Sequence, residues 1–427
     1  MVFMLTTFAG CTKKDLGDSY VDGSDYQYMY ANEWNMITQQ KGTRGNFFWN
    51  GHFIYYLDDA TKQCVPLCNK ADCLHNKETD EEKAEKCNAY VTRTPEMGAK
   101  ILYADGYLYV VDVLINEENL DDYYVLYRMK EDGSEKEQIY KWEEEKIIDY
   151  CIHRNTIYYI EKIFIEDEKK DSVDVKEEYC VKKLDLSGMK KPVLIYEPEQ
   201  ELEVYTVDKL QAYGNHVYFM IDASKDIEGI KITDDNYVEY MYFKYWHYNI
   251  LTGKLEELTL PDRKKNENVS GITFWQDKLI IMPYLSGADY ETETNIYIAE
   301  LDGSKPEELL TAKQGLSYVS DGAYLYEYNF WMVEEGLESE NLYKVYDEKM
   351  NVIDIFKTPF RELAAFSLGH PEGLYYMEER EDDSGCKIMY FDKSTVGTYQ
   401  GASFENKAVS IAEYDYSKWD KDTEDGE

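Results

Sequence analysis

Four donors able to ligate a metal crowd one short stretch of this chain: Cys68, Cys73, His75 and Cys87, with Cys64 just ahead of them. Three thiolates and one imidazole form an accepted structural set for tetrahedral zinc. In an oxidising compartment the same thiols could pair as disulfides instead. The stretch is acidic and poor in strand-forming residues, so burial alone would not order it and a staple is expected. Disulfide pairing of Cys87 with Cys68 or Cys73 is the first expectation. A zinc site of Cys68, Cys73, His75 and Cys87 is the second, and free thiols with His75 exposed on a loop the third. The spacing is looser than a paired Cys-x-x-Cys knuckle. Either staple would be structural, because four protein ligands leave no position open for substrate. No other cofactor is expected.

Elsewhere the sequence offers little that could react. It holds no Gly-x-Ser-x-Gly elbow, no Gly-x-x-x-x-Gly-Lys phosphate loop and no His-Glu-x-x-His pair. The Asp-x-[Asp/Asn]-x-[Asp/Asn]-Gly calcium loop is missing too. The histidines at 52, 75, 153, 216, 247 and 370 are scattered, and His52 and His216, beside turns, read as turn or rim residues. With 85 carboxylates, acid and base pairs arise by chance and identify nothing. Trp246, Trp275 and Trp331 could stack on sugar rings, but packing between strands is the plainer reading. No catalytic residue is expected, and no ligand-binding residue can be named.

The elements that must position these groups are short strands. Tyrosine accounts for 42 residues and proline for only 9, a composition that favours pleated, half-buried strands. One motif, a turn residue followed by an aliphatic or aromatic pair, recurs through the chain. Its anchors are Phe47, Leu108, Ile157, Val217, Leu279, Leu325 and Leu374, spaced about 54 residues apart on average. Each copy precedes a second pair of strands around a polar turn, such as Asp132-Gly133, Ser187-Gly188, Thr252-Gly253 or Asp302-Gly303. Four strands per repeat, seven times over, predict an all-β chain folded as a seven-bladed β-propeller. Six or eight blades also fit the irregular intervals. The predicted domain spans 25–413, each anchor pair lies on an inner strand, and residues 414–427 form an acidic disordered tail. The charge runs Glu78–Lys86, Glu117–Asp122, Glu143–Lys146 and Glu166–Glu178 read as solvated insertions. Cys151, on the first strand of blade three, and Cys180, at the start of its third, should have one strand between them, about 9–10 Å, beyond the ~7 Å that a disulfide spans. Both are therefore expected as buried thiols without a bridge.

The N-terminus suggests an address. Phe8-Ala9-Gly10-Cys11 resembles a bacterial lipobox, in which small residues precede a cysteine that is lipidated and becomes the mature N-terminus. The basic segment that normally opens such a signal is missing, so the expectation is a true start upstream, with Met1 internal or mis-assigned; a cytosolic protein with an apolar N-terminal strand is the plainer alternative. On the lipoprotein reading residues 1–10 are a signal-peptide remnant and residues 11–24 carry the lipidated Cys11 and a linker. The partner is then a membrane, reached through lipid, and the location is the extracellular face of the cell membrane. No other stretch has the ~18 continuous apolar residues of a spanning helix.

The turn-then-Leu-Tyr-Tyr rhythm resembles YWTD-type propellers of the low-density-lipoprotein-receptor kind, with Tyr55-Tyr56-Leu57-Asp58 the nearest relic of that string. More closely, Leu67-Cys68-Asn69-Lys70-Ala71-Asp72-Cys73-Leu74-His75 is similar to a blade-one pattern of uncharacterised surface lipoproteins from anaerobic Gram-positive bacteria. The resemblance covers roughly residues 40–400. It implies a fold and a location and carries no activity with it.

The net charge of −39 repels phosphate backbones and excludes nucleic acid as a partner. The expected function is a surface-anchored, monomeric binding or scaffolding protein for an envelope or extracellular protein, peptide or glycan. The alternative is a propeller enzyme acting on polysaccharide, a lyase or glycosidase.

Overall fold

Six of the seven motif anchors fall on the second strand of a four-stranded antiparallel sheet. The computed structural model describes residues 15–26, 39–50, 52–93, 100–116, 121–142, 146–166, 175–188, 191–198, 202–225, 241–258, 267–285, 287–289, 291–320, 322–329, 342–357, 373–382, 384–398 and 408–416. Blade one holds β1 (Gln39–Lys41), β2 (Gly45–Asn50), β3 (Phe53–Asp58) and β4 (Cys64–Pro66). Blade two holds β5 (Ile101–Ala104), β6 (Tyr107–Ile115), β7 (Asp122–Lys130) and β8 (Glu137–Trp142). Blade three holds β9 (Lys146–His153), β10 (Thr156–Glu166), β11 (Val175–Asp185) and β12 (Val193–Tyr196). Blade four holds β13 (Leu202–Tyr213), β14 (His216–Lys225), β15 (Met241–Asn249) and β16 (Leu255–Glu257). Blade five holds β17 (Glu267–Trp275), β18 (Lys278–Leu285), β19 (Glu293–Ala299) and β20 (Glu307–Lys313). Blade six holds β21 (Leu316–Ser320), β22 (Leu325–Asn329), β23 (Leu342–Tyr346) and β24 (Val352–Lys357). Among the described residues blade seven has three strands, β25 (Gly373–Glu379), β26 (Gly385–Asp392) and β27 (Val409–Asp415). The fold is a seven-bladed β-propeller. The ring closes where β27 meets β4: the Tyr55 and Tyr414 rings stack 4.1 Å apart, and Tyr55 Oη donates to Asp415 O at 3.3 Å.

The inner strands do not alternate apolar with polar, because each blade buries both faces against its neighbours. On β14, Val217, Phe219 and Ile221 join one core cluster while Tyr218 and Met220 join the next. On β18, Leu279 and Ile281 pack one way and Ile280 and Met282 the other. Successive side chains on a strand point to opposite faces, so a continuous apolar run is what a sheet sandwiched between two others requires.

Turns repeat as faithfully as strands. Asp105-Gly106, Arg154-Asn155 and Gln276-Asp277 join first to second strands with positive φ at both residues (50° and 83°, 48° and 58°, 55° and 55°). These are the backbone signs of the tight hairpin turn whose twist matches its strands. Asp132, Asp185, Asn249, Asp302 and Asp347 open the third-to-fourth turns, each side chain accepting a backbone N–H two residues on.

The observed limits differ from the expected ones. The last strand passes residue 413 to end at Asp415, and Tyr416 N donates to Ser384 O at 3.0 Å, so the tail begins inside the sheet. Within the charge runs, Glu81–Ala84 forms a helical turn that buries Ala84, and Val175–Glu178 lie on β11. No helix among the described residues is long and apolar enough to cross a membrane.

Candidate functional site

Blade one departs from the repeat between β4 and β5, and the departure carries the cysteines. Leu67 N donates to Ile54 O, Ile54 N to Ala89 O and Val91 N to His52 O, so both ends of the 67–91 excursion are pinned beside β3. Between them the only regular structure among the described residues is one 3-10 turn over His75–Lys77 and the turn over Glu81–Ala84. Cys68, Cys73, His75 and Cys87 converge there, with the four ligand atoms all within 4.8 Å of one another. Cys87 Sγ lies 3.6 Å from His75 Nδ1. Burial raises the Cys68 thiol, but backbone N–H groups of Lys70 and Asn88 and the neighbouring thiols of Cys87 and Cys73 outweigh it, leaving a net lowering. Burial pushes Cys87 upward against a backbone N–H from Ala89. Burial also lowers His75, which favours its neutral ring. Cys64, on β4, lies outside the group and is pushed up to about 12 by burial.

No disulfide joins any of the seven described cysteines. Cys151 and Cys180 sit on β9 and β11 with β10 between them, as the strand count requires. Cys151 is buried, whereas Cys180 is half-buried and lies mid-strand rather than at the start of its strand.

A second convergence was not legible. Residues 15–26, which overlap the expected linker 11–24, lie across the first-to-second turns of four consecutive blades. Asp105 N of blade two donates to Gly23 O at 2.7 Å, and Arg154 N of blade three donates to Ser24 O at 2.9 Å. The Arg154 guanidinium grips Asp25 through Nε at 2.7 Å and Nη2 at 3.1 Å, and reaches Asn215 of blade four at 2.7 Å. Ser19 Oγ donates to Asp277 of blade five at 3.0 Å. Gly214 is required here, since a Cβ on it would lie 2.4 Å from Asp18 O.

Three histidines serve this strap. Tyr26 N donates to His153 Nδ1 at 3.0 Å, so the ring carries its proton on Nε2 and donates to Gly214 O at 2.7 Å. His216 is 5% exposed, not a rim residue; it contacts His247 and lies 3.3 Å from Asp18. Burial lowers both His216 and His247, the latter to about 4. His52 stacks on Tyr90 at 5.4 Å beside the cysteine excursion. Trp275 is buried in the core and Trp246 is half-buried, packed on Tyr196 at its edge; Trp331 and His370 lie outside the described residues, as does Cys11.

A cleft of about 310 Å³ opens between the strap and blades one and two, lined by Asp22, Ser24, Lys41, Thr43, Tyr103 and Asp105. Part of its polar lining is already engaged: Thr43 donates from both N and Oγ1 to Glu131, and Asp105 N is tied to the strap.

No family model matches the chain, and no curated protein matches it. Among solved structures, a prolyl endopeptidase is similar over 87% of this chain and 49% of its own, with 11% identity and a TM-score of 0.50. An oligogalacturonate lyase from Vibrio parahaemolyticus is similar over 83% and 87%, at 13% identity and a TM-score of 0.46. The β-propeller domain of the Trilobed protease from Pyrococcus furiosus is similar over 67% and 78%, at 14% identity and a TM-score of 0.38. The chain spans about half the length of the prolyl endopeptidase it matches. At these identities the likeness is one of fold.

Proposed function

We propose that the protein is a lipid-anchored propeller of the cell surface, attached through Cys11, whose ring binds or scaffolds an extracellular protein, peptide or glycan. The observation that carries this reading is the strap. It is docked on the ring from Asp15 onward, four residues after Cys11. Four residues reach at most about 14 Å, so a lipid on Cys11 holds the first-to-second-turn face against the bilayer. In an up-and-down meander the second-to-third connections lie on the opposite face, which is thereby presented outward. Two or more acyl chains make such an anchor stable, since one alone binds only marginally. The charge of −39 sets up a field that opposes polyanionic ligands, including acidic polysaccharide, and leaves cationic or neutral ones.

The test expresses the gene with its upstream codons and follows labelling by a clickable fatty acid. Label should appear on the native protein and vanish in Cys11→Ala; label that survives the change refutes the anchor. An epitope tag in the β18–β19 connection should be read by antibody on intact cells, while one in the Asp105-Gly106 turn should be shielded. The protein without residues 1–14, its strap intact, should retain neutral or cationic targets on glycan and peptide arrays. Turnover of a polysaccharide by the purified ring would replace binding with catalysis as its role.

A further inference from the structure

We infer that Cys68, Cys73, His75 and Cys87 hold one zinc ion in a closed tetrahedral site that staples the blade-one excursion to blades seven and two.

The geometry fits the ion. Zinc–sulfur bonds of ~2.3 Å and zinc–nitrogen bonds of ~2.0–2.1 Å put tetrahedral ligand atoms roughly 3.5–3.8 Å apart. The Cys87–His75 separation of 3.6 Å already matches, and the whole set, within 4.8 Å, needs shifts of only about 1 Å to close on a metal. A disulfide would use two of the three thiols and gives no reason for a third thiol and an imidazole nitrogen to converge on the same point. Zinc uses all four.

The surroundings fit thiolates as well. Backbone N–H groups of Lys70 and Asn88 point to Cys68 sulfur, and that of Ala89 points to Cys87 sulfur. Such outer donors orient metal-bound thiolates and spread their charge. Loading balances as Zn²⁺ plus three thiols and one neutral imidazole giving a site of charge −1 and three released protons. Lys136 lies close enough to Cys68 and Cys87 to feel their charge, and its ammonium donates to Tyr90 O at 2.6 Å. His75 holds φ at 54°, a left-handed backbone that persists in a non-glycine residue where its surroundings dictate it.

The position gives the ion its work. From one side of the excursion Asn76 Nδ2 donates to Asp415 O of blade seven at 3.0 Å. From the other, Asn88 Nδ2 donates to Gly133 O of blade two at 2.6 Å, and Gly133 packs so closely that a Cβ there would sit 2.5 Å from Leu67 O. Fixing four points within 67–91 therefore fixes contacts on both neighbouring blades.

The experiment uses the full chain purified without chelator, under reducing conditions, and measures metal by mass spectrometry. One zinc per chain that resists dialysis is expected. Cobalt exchanged for zinc should give the visible spectrum of a tetrahedral three-sulfur, one-nitrogen site. His75→Cys keeps four ligands and the fold while shifting that spectrum toward four-sulfur coordination; Cys180→Ser changes neither spectrum nor stoichiometry. Metal well below one per chain overturns the assignment. So does a cobalt spectrum unmoved by His75→Cys, or a Cys87–Cys68 or Cys87–Cys73 bridge in the unreduced protein.

Discussion

Residues 15–26 lie across blades two to five, whereas residues 67–91 lie against blades seven, one and two. Both segments stand outside the repeat and both tie blades together, but by opposite means. The strap works through charged and polar contacts made at long range: Tyr26 and His153 are 127 positions apart, Ser19 and Asp277 258. The excursion gathers its four ligand atoms from a stretch in which Cys87 and His75 are 12 positions apart. The strap side rests on desolvated polar groups, each of which matters singly. The excursion side should depend on its staple and be insensitive to single polar contacts around it.

The largest expected effect lies beneath the strap. Lys100 and Asp149 form an ion pair with both side chains 0% exposed; Lys100 also donates to Tyr150 O and lies 5.9 Å from the Tyr26 ring. Asp149 further accepts Leu210 N of blade four at 3.0 Å, so the pair joins blades two, three and four. Burial raises the Asp149 carboxyl and the Lys100 ammonium opposes that. Lys100→Ala strands a buried carboxylate and should cost about 4 kcal/mol in denaturant unfolding. A loss under about 1 kcal/mol would mean that water reaches the pair and that the strap side is not desolvated.

Next is the strap's own grip. Arg154→Ala removes the paired bonds to Asp25, whose side chain is 0% exposed, and should cost about 3 kcal/mol. Protease should then cut within 15–26 while the ring stays folded. Uniform destabilisation without such cutting would show that the strap is no separate unit.

A smaller effect follows pH. Burial, then the charge of His216, holds His247 at about 4, while an unfolded histidine titrates near 6.5. Asp302, Glu256 and Asp18 pull the other way without reversing the shift. The unfolded chain takes up the proton first, so this stability is complete above about pH 6.5 and is lost as pH falls toward 4. The loss amounts to about 2 kcal/mol by pH 5. His247→Gln should flatten the stability profile between pH 6.5 and 5 relative to the native protein; parallel profiles would place the titration elsewhere.

These contrasts also explain what could be read from the sequence. The motif anchored at Leu108 or Val217 marks second strands because burial on both faces forces an apolar run that few other positions tolerate. Cys68, Cys73, His75 and Cys87 stood out because local spacing carries them, although spacing alone put disulfides ahead of a shared point of convergence. Polar residues such as Asp18 and Ser19 look like linker until the ring brings His216, Asp277 and Arg154 to them. His216 looks exposed beside its turn, because the strap that covers it is nearly two hundred residues away in sequence. Groups whose partners are set by ring closure leave no pattern in any window of the chain.

The smallest expected effect tests the other half of the comparison, at the closure between blades seven and one. Asp415 O accepts from Tyr55 Oη at 3.3 Å and from Asn76 Nδ2 at 3.0 Å. Tyr55→Phe keeps the ring stacked on Tyr414 and removes one long hydrogen bond from an acceptor that retains a second donor. It should cost less than about 1 kcal/mol. Asn76→Ala, at an exposed site where water replaces the amide, should be nearly silent. The double variant removes both donors, yet Asp415 is exposed and its carbonyl can be hydrated, so the two changes should add to about 1 kcal/mol at most. If the double variant instead loses more than about 2 kcal/mol, closure depends on these polar contacts as the strap side does. The stapled excursion would then no longer account for how blade one is held.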